Sequence, residues 1–486
     1  MSAADTLALK ASAVTFAIQP TVGAAGAAHA VTGSAIAEVH GDLKTTVVLL
    51  SDGLTHLCLI TSSVPVQTTE MRQAIYGAVA ESAGLQPEQV IFVSSHNHCV
   101  PAFIEPVAPA PAPGFAPLGR LNALGREFIG LLRAALAPLP GRLEPVTVEW
   151  GVSPETRFTY NRRGRRPDGR AYFIREEDRL LLGEDYRGEI DPDASVVLFR
   201  GARGVVAALA HFTGHPVTAY RPERMIVFGE YPQVAGEILA ERLGAPVAFL
   251  QGCAGDINAK HLLTGTVAQA RQFGEWLAES FLKAVEGRRP SARSGLRRHG
   301  VLAQIPLAPL PPVAELQRDL DDIRRFVARG RAGDEDTREC VGMNFPRALT
   351  PPYRARLVEM VQPWYEWALR VQAEGRGDSV LKSLPVAVEV VRIGDVGLVA
   401  LPFEPFVRTG LKLKREAPLP CILPCGYSGG FSGGSKCAYI PDASAADDRE
   451  YMGGFFRYTR NIPPYQAPAG DAAATAGVRA LEEILL

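Results

Sequence analysis

The chain has 486 residues, 47% hydrophobic and 21% charged, which is enough apolar material for two modest domains or one large one and excludes disorder as its default state. Its 51 Lys and Arg balance 52 Asp and Glu, so no global field draws it to nucleic acid or to an anionic membrane surface. The opening Met1-Ser2-Ala3-Ala4-Asp5-Thr6 lacks a basic stretch leading into an apolar one, and no run of about 18 apolar residues occurs, so a soluble cytoplasmic protein with no transmembrane segment is expected. The odd count of seven cysteines, scattered along the chain, fits a reducing compartment. Cys421, Cys425 and Cys437 match no zinc-knuckle spacing and read as buried thiols.

In chain order, Thr45 to Leu50 and His56 to Ser62 predict a hairpin around Ser51-Asp52-Gly53. The amphipathic run Thr68 to Ser82 predicts a helix leading to the strand Val90 to Val93. That strand empties into Ser94-Ser95-His96-Asn97-His98-Cys99. In extended backbone, residues two apart face the same side, so His96 and His98 are expected to share one cleft at the strand's end. The Pro- and Ala-rich stretch from Glu105 to Leu118 reads as an extended loop, a wall or lid beside those histidines.

A second unit begins near Asp193, with strands over Ala194 to Phe199 and Gly204 to Phe212, and runs into Thr213-Gly214-His215-Pro216. A helix from Tyr231 to Leu243, stopped by Gly244, precedes the strand Val247 to Leu250 and the glycine-rich segment Gln251 to Asn258. Glycines at a strand end permit either a sharp turn or close approach of backbone to a ligand. The charged helix from Val313 to Arg329 carries no visible chemistry. Trp364, Tyr365 and Trp367 read as packing. Strands from Val386 to Ile393 and Val396 to Leu401 then deliver Glu404 in apolar company, where it needs a cationic partner, either a metal or an arginine.

These segments together resemble the catalytic domain of the neutral/alkaline ceramidases, zinc-dependent amidases that cleave the N-acyl bond of ceramide. Ile18-Gln19-Pro20-Thr21-Val22-Gly23 resembles the family's Ile-Thr-Pro-Pro-x-Gly, and Ser95-His96-Asn97-His98-Cys99 its Thr-His-Thr-His-Ser. His211 to Pro216 resembles the segment ending in His-Pro, Gln251 to Asn258 the Gly-Asp motif, and Leu401-Pro402-Phe403-Glu404 its Leu-Pro-Gly-Glu. The pair Tyr439 and Tyr451 has the separation of the family's tyrosine motif. The matches run in family order over about residues 12–460.

The resemblance implies one large α/β catalytic domain with a mixed sheet, spanning 1–486 and lacking the family's C-terminal β-sandwich. It implies one zinc ion per chain held by His96, His215, Glu404 and Tyr439, a donor set of imidazole, carboxylate and phenolate suited to Zn²⁺. His98 is expected to move protons, with Arg162 and Tyr451 serving a developing oxyanion and Gly255, Asp256 and Cys99 shaping the substrate pocket. Arg162 also reads as an ordinary member of the basic run Arg162 to Arg166.

The chain departs from the family at four positions. Asn258 replaces a functional serine, Cys99 a serine, Val100 a glycine and Phe403 a glycine. An asparagine cannot act as a hydroxyl nucleophile, whereas attack by zinc-activated water survives that change. A remodelled pocket is therefore expected, serving a small amide, lactam or ester, or a lipid-like substrate, rather than ceramide itself.

Overall fold

The computed structural model describes residues 8–23, 35–64, 69–105, 120–428, 439–446, 448–459 and 461–485. The predicted loop after the histidines and Cys437 lie almost wholly outside them. Among the described residues, strands assemble into three larger sheets. The first runs in the order Val90–Ser94, His56–Ser62, Leu43–Ser51, Lys10–Ile18, Glu144–Pro145. The second runs Val247–Gln251, Gly204–Phe212, Asp193–Gly201, Thr147–Pro154, Arg289–Pro290. The third runs Leu296–Pro306, Ser383–Ile393, Val396–Ala400, Cys421–Cys425. The architecture is mixed α/β.

One pattern repeats. Each sheet contains an antiparallel hairpin whose second strand is joined, through a helix, to a parallel edge strand. His56–Ser62 leads through Thr69–Ala83 to Val90–Ser94. Gly204–Phe212 leads through Glu230–Leu243 to Val247–Gln251, and Val396–Ala400 leads through Val407–Glu416 to Cys421–Cys425. Parallel pairing demands such a crossover. Local chemistry sets the punctuation. The first hairpin closes where Asp52 Oδ1 accepts from Leu54 N (3.0 Å) and Thr55 N (2.8 Å), and the second crossover helix stops at Gly244, whose φ of 64° a side chain would resist.

The three sheets turn apolar faces toward a common core. Val48, Leu59 and Ile91 from the first meet Val197, Leu209 and Leu250 from the second and Val391, Leu398 and Leu423 from the third, all fully buried. Helices cover the outer faces. Trp364 and Tyr365 are buried in the largest cluster, as their packing role requires. Cys421 and Cys425 are likewise buried, unpaired thiols. No described helix is long and apolar enough to cross a membrane.

Candidate metal centre

Ligands in open α/β sheets gather outside the carboxyl ends of parallel strands, and that is where these sheets present their polar side chains. His96 and His98 follow Val90–Ser94, His215 follows Gly204–Phe212, and Glu404 follows Val396–Ala400. Glu404 Oε2 lies 3.3 Å from His96 Nε2 and 3.2 Å from His215 Nε2, and the Nε2 atoms of His96 and His98 are 3.2 Å apart. The three imidazoles form a cluster able to hold a metal ion.

The geometry around the first histidines differs from the expected extended strand. Regular pairing stops at Ser94, and His96 adopts a left-handed backbone conformation with φ 59°. The two imidazoles therefore converge through a kink rather than through alternation along a strand. The kink is held by Ser94 Oγ, which accepts from His96 N (3.1 Å), and by the Asn97 side chain, which accepts from Cys99 N (2.8 Å) and donates to Phe228 O (2.7 Å).

His215 is fully buried. Its Nδ1 donates to Ala254 O (2.6 Å), with Ile257 O also near at 3.2 Å, and this tautomer leaves the Nε2 lone pair facing Glu404. Gly214 O, one residue earlier, accepts from Gln251 Nε2 (2.7 Å) and from the Tyr231 hydroxyl, which fixes the loop. Burial, then the Arg162 charge, push the His215 imidazole down to about 3, so it is neutral at physiological pH. Burial also opposes the charge on Glu404, but the adjacent His96 and His215 outweigh it and hold the carboxyl well below its ordinary range. His215 Nε2 and Glu404 Oε2 are buried without a well-formed hydrogen bond. The neutral His215 nitrogen and the Glu404 carboxylate oxygen, with His96 Nε2 beside them, fit a divalent cation, and the N/O donor set fits zinc.

Tyr439 is placed by the backbone, since Glu404 and Tyr439 are partners in a short parallel ladder. Its hydroxyl accepts from Arg162 Nη2 (2.9 Å), and burial drives the phenol well above its usual pKa. Ligation through this oxygen requires the phenol to ionise, a change that the Arg162 charge favours and burial opposes. Arg162 is 5% exposed, so it is not a solvated member of the basic run. Its Nη2 also donates to Gly255 O (2.7 Å), and its guanidinium lies over the rings of Phe173 and Tyr439. Tyr451 packs edge-on against Tyr439, with ring centroids 5.8 Å apart.

The remaining predicted residues surround this set in different ways. Gly255 N donates to Pro405 O (2.9 Å), and a Cβ at Gly255 would stand 2.6 Å from Glu404 O, so the glycine permits two backbones to touch. Asp256 is buried and accepts from Val407 N (2.7 Å) and Asn161 Nδ2 (2.9 Å), anchoring the start of the helix Val407–Glu416. Burial lifts its carboxyl to about 6. Asn258 pairs with Tyr160 across a short antiparallel ladder and bridges to His215 on its other side. Asn258 is fully buried, and its side chain approaches the Tyr160 phenol without hydrogen-bond geometry. Cys99 is 1% exposed and its thiol faces Glu230 Oε1 at 3.6 Å rather than solvent. Val100 and Phe403 are also buried in apolar clusters. His211, in the same motif as His215, points elsewhere, with Nε2 2.9 Å from Pro424 O.

Two residues at this centre escaped the sequence reading. Tyr427 stacks on His96 with ring centroids 4.3 Å apart. Glu230 opens the second crossover helix with φ 56° and a fully buried carboxyl group. Its Oε1 accepts from Ala219 N (2.6 Å), beyond His215, and meets the Cys99 thiol beyond His98, so one side chain ties both histidine loops together. A Glu directly after Phe228-Gly229 at a predicted helix start was the available signal, although nothing in it specified burial.

Comparison with known proteins supports this fold. No family model and no curated protein matches the chain. Solved structures do, among them one described as ceramidase complexed with C2 and another as neutral ceramidase from Pseudomonas aeruginosa. Their TM-scores are 0.66 and 0.64, each at 14% identity, covering 99% of this chain and 75% of theirs. The chain thus has the mixed α/β fold of a neutral ceramidase along nearly its whole length, as its motif order implied. At that fold's strand ends it carries a three-histidine cluster able to hold a metal ion.

Gly255→Ala is expected to lose about 1–3 kcal/mol of stability in urea unfolding, because the added Cβ meets unyielding backbone oxygens. It should also weaken metal retention by displacing Glu404. Glu230→Ala should reduce metal affinity by about 10–100-fold in chelator competition, with Glu230→Gln retaining much of it. Burial raises the Glu230 carboxyl from 4.5 to about 7, so the folded state holds its proton more tightly than the unfolded chain. That contribution is complete below pH 4.5 and fades as pH rises toward 7, by at most about 3 kcal/mol. Glu230→Gln should flatten this slope in denaturation measured from pH 4 to 8; an unchanged slope assigns it to other groups.

Proposed function

We propose that this protein is a zinc-dependent hydrolase that cleaves a C–N amide bond. The single observation that carries the reading is the convergence of His96 Nε2, His215 Nε2 and Glu404 Oε2 within a ceramidase fold. His96, His215 and Glu404 would hold the ion, with Tyr439 as a fourth donor once ionised. Zinc at such a site supplies Lewis acidity and lowers the pKa of water toward about 7.

The chain's own residues do the rest. His98 is half-buried, edge-on to the Tyr220 ring at 5.0 Å, and within proton-transfer distance of the donor set through the His96 contact. Its imidazole is the group suited to carry a proton to the leaving amine near neutral pH. Arg162 holds the Tyr439 oxygen and places positive charge where an oxyanion would develop, and Tyr451 closes that side. Asn258 flanks His215 and offers a donor and an acceptor but no nucleophilic hydroxyl, so water is the nucleophile in this reading. The substrate class is a small amide or lactam, or a lipid-like amide, distinct from long-chain ceramide. The six described cysteines are unpaired, in keeping with action in the cytoplasm, and the core shared by three sheets supports one catalytic domain.

Metal analysis by plasma mass spectrometry, then chelation and zinc add-back against N-acyl amides, lactams, esters and ceramide, tests the proposal. About one zinc per chain with chelator-sensitive amide cleavage is expected. Cleavage of esters or lactones alone reassigns the leaving group, and bound zinc without turnover reassigns the chain as a binding protein. His96→Ala and His215→Ala should each lose metal and activity. His98→Ala should keep its metal and turn over about 100-fold more slowly or worse. Loss of metal from His98→Ala would instead make all three histidines ligands.

A further inference from the structure

We propose that Tyr427 is a further catalytic residue of this centre, its phenol donating a hydrogen bond to the substrate's carbonyl oxygen as negative charge develops there. This rests on the hydrolase reading and adds a group that reading does not include. The first observation is conformational. Tyr427 adopts φ 55°, a left-handed conformation that costs a non-glycine residue roughly 1–2 kcal/mol. Such conformations persist where surrounding structure over-determines them, and they concentrate at functional sites. Here Tyr427 N donates to Phe403 O (2.8 Å) and Ser94 N donates to Tyr427 O (3.2 Å). The residue is thereby stitched between the strand end that delivers His96 and the strand end that delivers Glu404. His96, against which it packs, has the same left-handed conformation.

The second observation is where this backbone aims the side chain. The ring lies on His96 with an interplanar angle of 30° and stands edge-on to His215, centroids 5.9 Å apart. The charges of Glu404 and Arg162 and the Tyr439 phenol bear on it electrostatically. Yet the hydroxyl, fully buried, has no hydrogen-bond partner among the described residues. A buried donor left unsatisfied costs about 1–3 kcal/mol. The orphaned hydroxyl is a cost that an acceptor supplied by a bound substrate would remove.

The division of labour follows from ordinary acidities. An imidazole can give up its proton to a leaving amine near neutral pH, whereas the Tyr427 phenol, pushed above its ordinary pKa by burial, keeps its own. Tyr427 accordingly gains and loses no proton. It offers a fixed dipole to an oxygen that is more negative in the transition state than in the substrate, where such donors act most strongly.

Tyr427→Phe preserves the ring on His96 and removes only the hydroxyl. The expected result is unchanged zinc content and thermal midpoint, with kcat lowered about 100-fold and KM nearly unaltered. Methylphosphonate, a tetrahedral oxyanion, should bind the zinc-loaded variant about tenfold more weakly than zinc-loaded wild type in calorimetric titration. Loss of zinc from the variant would overturn the proposal by making Tyr427 a ligand. Equal methylphosphonate affinity in the two proteins would overturn it as well. Because the titration needs no turnover, a wild type that hydrolyses none of the amides leaves Tyr427 still decided by the phosphonate difference, and the two readings fail separately.

Discussion

The arrangement depends on electron pairs forced to face one another. His96 Nε2, His215 Nε2 and Glu404 Oε2 meet within 3.2–3.3 Å around one carboxylate oxygen. Such lone pairs repel unless protons or a cation stand between them, and the interior dielectric magnifies the repulsion. A proton is a poor answer at His215. Its Nδ1 hydrogen is committed to Ala254 O, and full burial disfavours the second proton that would make it a cation. A divalent ion held here would answer the same repulsion.

The fold supplies that rigidity through repetition. Three crossovers, each from a hairpin strand through a helix to a parallel edge strand, bring three carboxyl ends to one place, and the common apolar core locks the sheets together. Contacts between the loops complete the job. Gly255 lets the second sheet's loop lie directly on the backbone of Glu404, and Asp256 in that loop fastens the helix that follows Glu404. Glu230 binds the loops of His98 and His215 to each other. The positive-φ residues His96, Glu230 and Tyr427 all lie in these junctions. Half of the described non-glycine residues at positive φ thus stand where three sheets must agree on the position of a few atoms, and the extensive core can sustain the strain.

Much of this was legible in the chain. The strands His56–Ser62 and Gly204–Phe212 could be bounded from their apolar runs and turn residues, and the first two crossover helices from amphipathicity and a glycine stop, whereas Val407–Glu416 was not read. Motif order located His96, His98, His215 and Glu404. The short strands Thr159–Asn161, Ile257–Ala259 and Glu404–Pro405 could not be read, because two or three residues carry no periodicity and their partners are distant in sequence. The kink at His96 was misread as extension for a related reason. A left-handed histidine leaves no compositional trace, unlike a glycine in the same conformation. Tyr427 and Glu230 were hidden on the same account, since their importance lies in conformation and burial imposed by other segments.

The departures from the ceramidase pattern gain a different meaning once located. Cys99, Val100 and Phe403 are turned into apolar clusters, where a change of size is absorbed by packing of the same region. Phe403 keeps its backbone role, since its carbonyl fixes Tyr427. Only Asn258 stands in the polar set itself, bridged to His215 and paired with Tyr160. A neutral imidazole, a buried carboxylate and two residues at positive φ stand in register here, each at a cost to stability. These costs stand together at the three-histidine cluster, where stability is spent on holding polar side chains in register.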